Sequence, residues 1–301
     1  VNGESRIGAI EAGGTKMVCC VGASWQEIRD GEKFVVPTTS PEETMTLVMD
    51  WFVARNAEAP LAAIGVASFG PVDFSTNSIA MSTPKNAWRG MSWRQHINQR
   101  LASAVIGLDT DTNAAGLAEW HWGAGRARQV AAYVTVGTGI GGALIVNGAP
   151  LHGLLHPEFG HMMVPRQRGD QFAGTCPNHG DCLEGLACGP AIEQRWNRSG
   201  PQLPADHAAW ELESDYLALA LVNIITICSP EVIIIGGGVM AAEGLLNQVR
   251  TKTVDLMAGY IDRDELGGRV DEYIVAPSLG NSSGVVGAYA LGARAVLEAS
   301  K

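Results

Sequence analysis

Two histidines and two cysteines in one loop have the types and the spacing to hold a metal ion. His161 is followed fifteen residues later by Cys176, and Cys176, His179 and Cys182 then recur at three-residue intervals. Thiolate and imidazole donors of this kind close a tetrahedral shell on Zn²⁺ and leave no position for water, so the chemistry read here is structural. The plainer alternatives are a Cys176–Cys182 disulfide or a solvated His179. The other cysteines, Cys19, Cys20, Cys188 and Cys228, lie in apolar surroundings, and nothing reads as a secretory leader, which points to a reducing compartment and so to metal. The same loop, residues 156–190, carries Glu158 and Glu184 just outside the ligand positions, placed to be aimed at a ligand.

Glycine turns offer a second chemistry. IGAIEAGGTKMVCCV at 7–21 reads as strand, Gly-Gly turn and strand, and AYVTVGTGIGGALIV at 132–146 repeats the plan, while IIIGGGVM at 233–240 runs a strand into glycines. Bare amides beside the Thr15 or Thr138 hydroxyl can donate to phosphate oxygens. One such segment is equally an ordinary hairpin; two of them suggest a duplicated domain, each half giving one turn to a shared cleft that takes a nucleoside triphosphate. Neither the P-loop pattern nor G-x-G-x-x-G at a strand-to-helix turn is present.

A third candidate is Asp111, which follows a short strand at 105–109 and opens a helix running through Glu119 to Trp122. It is read either as that helix's cap or as a carboxylate able to take a proton from a hydroxyl attacking phosphorus. Asn86, between Pro84 and Trp88, is either a turn residue or a partner for sugar hydroxyls. Gly70 lies in a turn at the carboxyl end of a buried strand, 61–67, where open α/β sheets gather ligands.

The elements that must position these groups alternate strand and helix throughout, which makes the fold α/β. Ser40, Pro41 and Glu43 mark the start of an amphipathic helix to Asn56 with Met45, Leu47, Val48, Trp51 and Phe52 inward. Helices are expected at 190–196, 208–227, 245–257 and 284–299, a strand at 273–276, and solvated surface at Asp206 and His207. Residues 1–5 are polar and read as a frayed lead-in. With 301 residues, 46% hydrophobic and 17% charged, the chain has length for two domains. A net charge of −10 without a basic cluster argues against nucleic acid, and the longest apolar run, 224–235, is broken by Ser229, Pro230 and Glu231, which argues against a membrane span. The chain is therefore read as cytoplasmic.

Eight segments together resemble the ROK sugar kinases: IEAGGTK at 10–16, SFGPVD at 68–73, TPKNAW at 83–88, DTNAA at 111–115, VGTGIGGALIVNG at 136–148, HPEFGH at 156–161, CPNHGDCLEGLACGPAI at 176–192 and SPEVIIIGGGVM at 229–240. Within that family the likeness is to the zinc-containing bacterial fructokinases. The resemblance implies a two-domain actin-like, hexokinase (ribonuclease H-like) fold with a cleft between duplicated halves. A smaller domain is expected at 1–112, joined by the last helix at about 285–301, and a larger one at 113–284 with the zinc loop. It implies Asp111 as the base that deprotonates the sugar hydroxyl, and Gly70, Asn86, Asn113, Glu158, His161 and Glu184 as sugar contacts. Gly13, Gly14, Thr15 and Lys16 match the first phosphate loop, Thr138 and Gly139 the second, and Pro190, Gly237 and Gly238 the adenosine side. ATP with Mg²⁺, structural Zn²⁺ on His161, Cys176, His179 and Cys182, and a homodimer follow from the same likeness. The implied reaction is fructose to fructose 6-phosphate; the alternatives are a ROK hexokinase for mannose, glucose or an N-acetylhexosamine, or a sugar-binding regulator. Two departures from the broad family, Glu11 for Asp and CPNHGDC for a cysteine-rich loop, go with the fructokinase branch.

Overall fold

The computed structural model describes residues 5–301, so the lead-in read at 1–5 lies, apart from Ser5, outside the described residues. The first stretch runs β1 (Ile7–Ala12), β2 (Lys16–Gly22), α1 (Trp25–Asp30), β3 (Phe34–Pro37), α2 (Pro41–Glu58), β4 (Ala63–Ser68), a small ribbon of β5 (Val72–Asp73) and β6 (Ser78–Ile79), α3 (Trp93–Arg100), β7 (Val105–Thr110) and α4 (Asp111–Trp122). The second runs β8 (Val130–Val136), β9 (Ile140–Val146), β10 (Ala149–Pro150), α5 (Leu183–Ala187), α6 (Gly189–Trp196), α7 (Ala208–Cys228), β11 (Val232–Gly236), α8 (Leu245–Met257), α9 (Val270–Tyr273) and β12 (Ile274–Val275), and α10 (Ser283–Ala299) closes the chain. Contacts divide these into one unit up to Glu119 together with Asn281–Lys301, and another at Trp120–Gly280.

Each unit holds one five-stranded sheet, and the two sheets have the same plan. Their orders are β3-β2-β1-β4-β7 and β10-β9-β8-β11-β12. In the first, β1–β2 and β2–β3 are antiparallel while β1–β4 and β4–β7 are parallel. In the second, β8–β9 and β9–β10 are antiparallel while β8–β11 and β11–β12 are parallel. The duplication read from two glycine hairpins is thus a duplication of whole sheets. Tight turns join the antiparallel pairs β1–β2, β8–β9 and β9–β10, and α1 joins β2 to β3, but each parallel neighbour needs a crossover, which is why helices intervene before β4, β7, β11 and β12.

The first unit's sheet is covered on both faces, so its interior strand β4, AIGVAS, is buried at every residue. On one face α2 lays Met45, Val48 and Phe52 into a core with Trp88, Trp93 and Ile97. The helix starts as its sequence dictates, with Ser40 accepting from the Glu43 amide and Pro41 in the first turn. Leu47, expected inward, is 48% exposed, because the helix turns it away from the stripe formed by Met45, Val48 and Phe52. On the other face α10 lies against β1, β4 and β7. The approach is backbone to backbone: an ideal Cβ on Gly65 would stand 1.8 Å from the Ala288 carbonyl oxygen, and one on Gly107 would stand 2.2 Å from that of Leu291.

In the second unit α7 and α8 pack together and bury Tyr216, Leu217, Leu221, Leu245 and Val249 with β8 and β11. His207, expected to be solvated, instead caps α7 by accepting from the Ala209 amide. The strand expected at 273–276 shortens to β12 because 270–273 coil into α9. Among the described residues no helix is long and apolar enough to cross a membrane.

Because nothing at Gly65 can move out of the way except the backbone of α10, Gly65→Ala should cost about 3 kcal/mol or more. Urea unfolding checks this; a loss under about 1 kcal/mol would mean that α10 yields easily.

Candidate functional site

In the first unit the turn between β1 and β2 is built from Gly13 to Lys16. Gly13 N donates to Lys16 O at 3.0 Å, and Thr38 holds the turn from β3's end, its amide on Thr15 O (2.9 Å) and its hydroxyl on Gly13 O (2.8 Å). Thr15 and Lys16 are exposed. Phe69 N donates to Ala12 O at 2.9 Å, so the end of β4 is tied to the end of β1. Gly70 follows, its carbonyl accepting from the Thr83 hydroxyl at 3.0 Å, which anchors the TPKNAW segment. Trp88 anchors that segment at its other end, buried and donating to Thr39 O at 2.9 Å. Between these anchors Asn86 stands exposed at the start of a short 3₁₀ turn.

At the head of α4 three residues divide the work. The helix is capped by Thr110, whose hydroxyl accepts from Asn113 N at 3.1 Å, so capping is not the task of Asp111. Asn113 is fully buried and donates its side-chain amide to Asp109 at 2.7 Å, which fixes the strand-to-helix corner from inside. Asp111 is half-buried in the first turn, and its Oδ1 accepts from Thr112 N at 2.8 Å. A carboxylate there sits in the positive end of the helix field.

In the second unit the turn between β8 and β9, Gly137–Thr138–Gly139, is held from two sides. Gly189 N, at the start of α6, donates to Gly137 O at 2.7 Å, and Glu184 Oε2, from α5, accepts from Ile140 N at 2.8 Å. Gly139 lies directly under that carboxylate, where an ideal Cβ would come within 2.6 Å of Oε2. Thr138, Pro190 and Gly238 line a cavity of about 820 Å³ together with Leu203, Trp210 and Val239. A mostly apolar wall with bare amides at one end suits a flat aromatic base carrying phosphates. Gly237, at the end of β11, has φ +99°, and a Cβ there would stand 2.3 Å from Val136 O.

The four predicted metal donors meet. His161 Nδ1 lies 3.8 Å from Cys176 Sγ and 3.6 Å from Cys182 Sγ, Cys176 Sγ lies 3.6 Å from His179 Nδ1, and all four ligand atoms are within 4.8 Å of one another. A tetrahedral Zn²⁺ with ordinary Zn–S and Zn–N bonds has S···N edges of about 3.5 Å, so the donor set fits that ion. All six cysteines are free thiols, and burial pushes the Cys182 thiol up to about 11. The loop closes on itself through Cys176 and Gly180, which exchange backbone hydrogen bonds at 3.2 and 2.9 Å. His161 is brought in by a 3₁₀ turn, Phe159–His161, packed on β9 so closely that a Cβ on Gly160 would stand 1.9 Å from Ile140 O. Glu158, just before it, is exposed and lies 3.4 Å from His156 Nδ1. Sequence reading passed over Lys85 and the bracing of the second glycine turn by Glu184, since neither follows from local pattern.

The family model described as "ROK family" matches residues 7–295. A relative from Bacillus subtilis (strain 168) is 41% identical over 294 residues, 96% of each chain. The fructokinase of Pediococcus pentosaceus is 37% identical over 297 residues, 97% of this chain and 99% of that one. Among solved structures, a ROK family glucokinase from Streptomyces griseus in complex with glucose and AMPPNP superposes with a TM-score of 0.76 at 23% identity, covering 96% of this chain and all of that one.

Glu11, on β1, has its carboxyl pushed up to about 7 by burial and, next, by the charge of Asp111, with Lys16 and the Val285 amide opposing. Between its usual value of 4.5 and about 7 the folded chain holds a proton that the unfolded chain releases, so stability falls as pH rises through that window. Glu11→Gln keeps the uncharged shape. Its stability relative to the parent should therefore rise between about pH 5 and about pH 8, read from urea midpoints. A difference that stays constant with pH would show that Glu11 is not the proton carrier.

Proposed function

Since the chain belongs to the ROK family, we propose that it is an ATP-dependent fructokinase, moving the γ-phosphoryl group to the 6-hydroxyl of D-fructose. The observation that carries the reaction is the Asp111 carboxylate at the carboxyl end of β7, relieved of capping by Thr110 and borne by the same unit as the Gly13–Lys16 turn. The choice of sugar rests on the fructokinase relative, which matches over nearly the whole of both chains.

In this reading Asp111 accepts the hydroxyl proton as the sugar oxygen attacks the γ-phosphorus. The new P–O bond forms as the bond to the β-phosphate's bridging oxygen breaks, and ADP leaves with that electron pair. The Gly13–Lys16 turn gives amides and a hydroxyl to phosphate oxygens, as does Thr138 at the second turn. Pro190, Gly237, Gly238 and the cavity beside them take the adenosine. Magnesium enters with ATP and, when bound, neutralises phosphate charge. Glu158, His161 and Glu184 are assigned to the sugar, with Gly70 and Asn86. Asn113, being buried, serves by fixing the corner that presents Asp111. His161, Cys176, His179 and Cys182 would hold Zn²⁺, which supplies no reacting group and instead fixes the loop that carries Glu158 and Glu184. A homodimer in the cytoplasm completes the proposal.

Asp111→Ala should lower kcat by about 10³-fold or more while fructose affinity stays within about threefold. A coupled assay over fructose, mannose, glucose and N-acetylhexosamines should give fructose the highest kcat/KM, and a higher value for any other sugar would replace fructose. Elemental analysis should find one zinc per chain. Its removal by chelator should lower the melting temperature, and an unchanged melting curve would contradict the structural assignment.

A further inference from the structure

Resting on that kinase reading, we propose that Lys85 binds the phosphoryl group in transfer, as a second cation on the first glycine turn. An ideal Cβ on Gly14 would stand 3.1 Å from Lys85 Cε and 3.7 Å from its Nζ, so the lysine stem lies across the face that glycine leaves bare. The ammonium also stands over the Phe69 ring, 5.7 Å from its centroid, and takes no hydrogen bond or ion pair among the described residues.

This is not the posture of a surface lysine, which extends its charge into water. The backbone on either side is pinned, by Thr83 on Gly70 O and by Trp88 on Thr39 O, so the side chain leaves the main chain from a fixed place. Its head lies where β1 and β4 both end, the side of a parallel pair at which ligands gather. A lysine there, with no carboxylate of its own and bare amides beneath it, completes an anion site: amides give direction and the ammonium gives charge. Lys16, the last residue of the same turn, is exposed at the start of β2, next to buried Met17, and its charge acts on Glu11. The anion met by Lys85 is the terminal phosphate of the nucleotide before transfer and the 6-phosphate of the sugar after it.

The test is calorimetry on the full chain and on Lys85→Met and Lys85→Arg, with AMPPNP, ADP, fructose and fructose 6-phosphate as separate probes, beside steady-state kinetics and melting curves. For Lys85→Met, AMPPNP and fructose 6-phosphate should each weaken by about tenfold or more, ADP and fructose should stay within about twofold, and kcat should fall by about 10²-fold. Lys85→Arg should recover most of both losses, because it restores the charge. Weakening of AMPPNP and ADP by the same factor, a lowered melting temperature accounting for the kinetic loss, or affinities equal to the parent's would each overturn the assignment. If the unaltered chain binds AMPPNP and phosphorylates a hexose while Lys85→Met matches it, only Lys85 is misassigned. If the unaltered chain does neither, the kinase reading fails and takes this assignment with it.

Discussion

Close approach of one backbone to another, allowed only where a side chain is missing, is the constraint on which the rest of this molecule depends. A carbonyl oxygen can come within about 3 Å of a neighbouring chain only if no Cβ intervenes. Gly65 and Gly107 seat α10 on the first sheet in this way, Gly160 seats the His161 turn on β9, and Gly237 brings the end of β11 against Val136. The same absence of side chains leaves the turn amides available to an anion. Packing and binding thus draw on one property of the chain, and 37 glycines in 301 residues are its compositional trace.

In the second unit that constraint couples the metal loop to the glycine turn. Cys182 ends the donor set, Glu184 two residues later accepts from Ile140 N, and Gly189 at the head of α6 donates to Gly137 O. One short stretch therefore carries a metal-donor set at one end and a candidate phosphate turn at the other. The loop has little regular structure, and a metal on these donors would supply the rigidity that a packed helix would otherwise give. The bond from Ile140 N fixes the orientation of the Glu184 carboxylate.

The first unit presents a carboxylate from the first turn of a helix that a neighbouring side chain caps. Asp109, Thr110 and Asn113 hydrogen-bond to one another at the strand-to-helix corner, in the buried interior. Asp111 then stands in the first helical turn with a neighbour's amide on one oxygen. Nearby, Glu11 carries its proton near neutrality because burial and the charge of Asp111 both disfavour a second negative charge.

The sequence by itself determined the strands, the helix starts and the donor set, because each is a local matter. Strand-turn-strand patterns at 7–21 and 132–146, the Ser40–Pro41–Glu43 start of α2 and the spacing of Cys176, His179 and Cys182 depend on neighbours a few residues away. Whether Asp111 capped its helix stayed open on local grounds, since Thr110 was an equally good cap and only geometry could choose between them. Leu47 and His207 were misjudged for a related reason: helix phase and the choice of cap are set by what packs alongside. What only the tertiary structure decided is which distant residues share a place. Lys85 reaches Gly14 across 71 positions, and Glu184 reaches Ile140 across 44, because parallel neighbours in a sheet are joined by long crossovers that erase sequence distance.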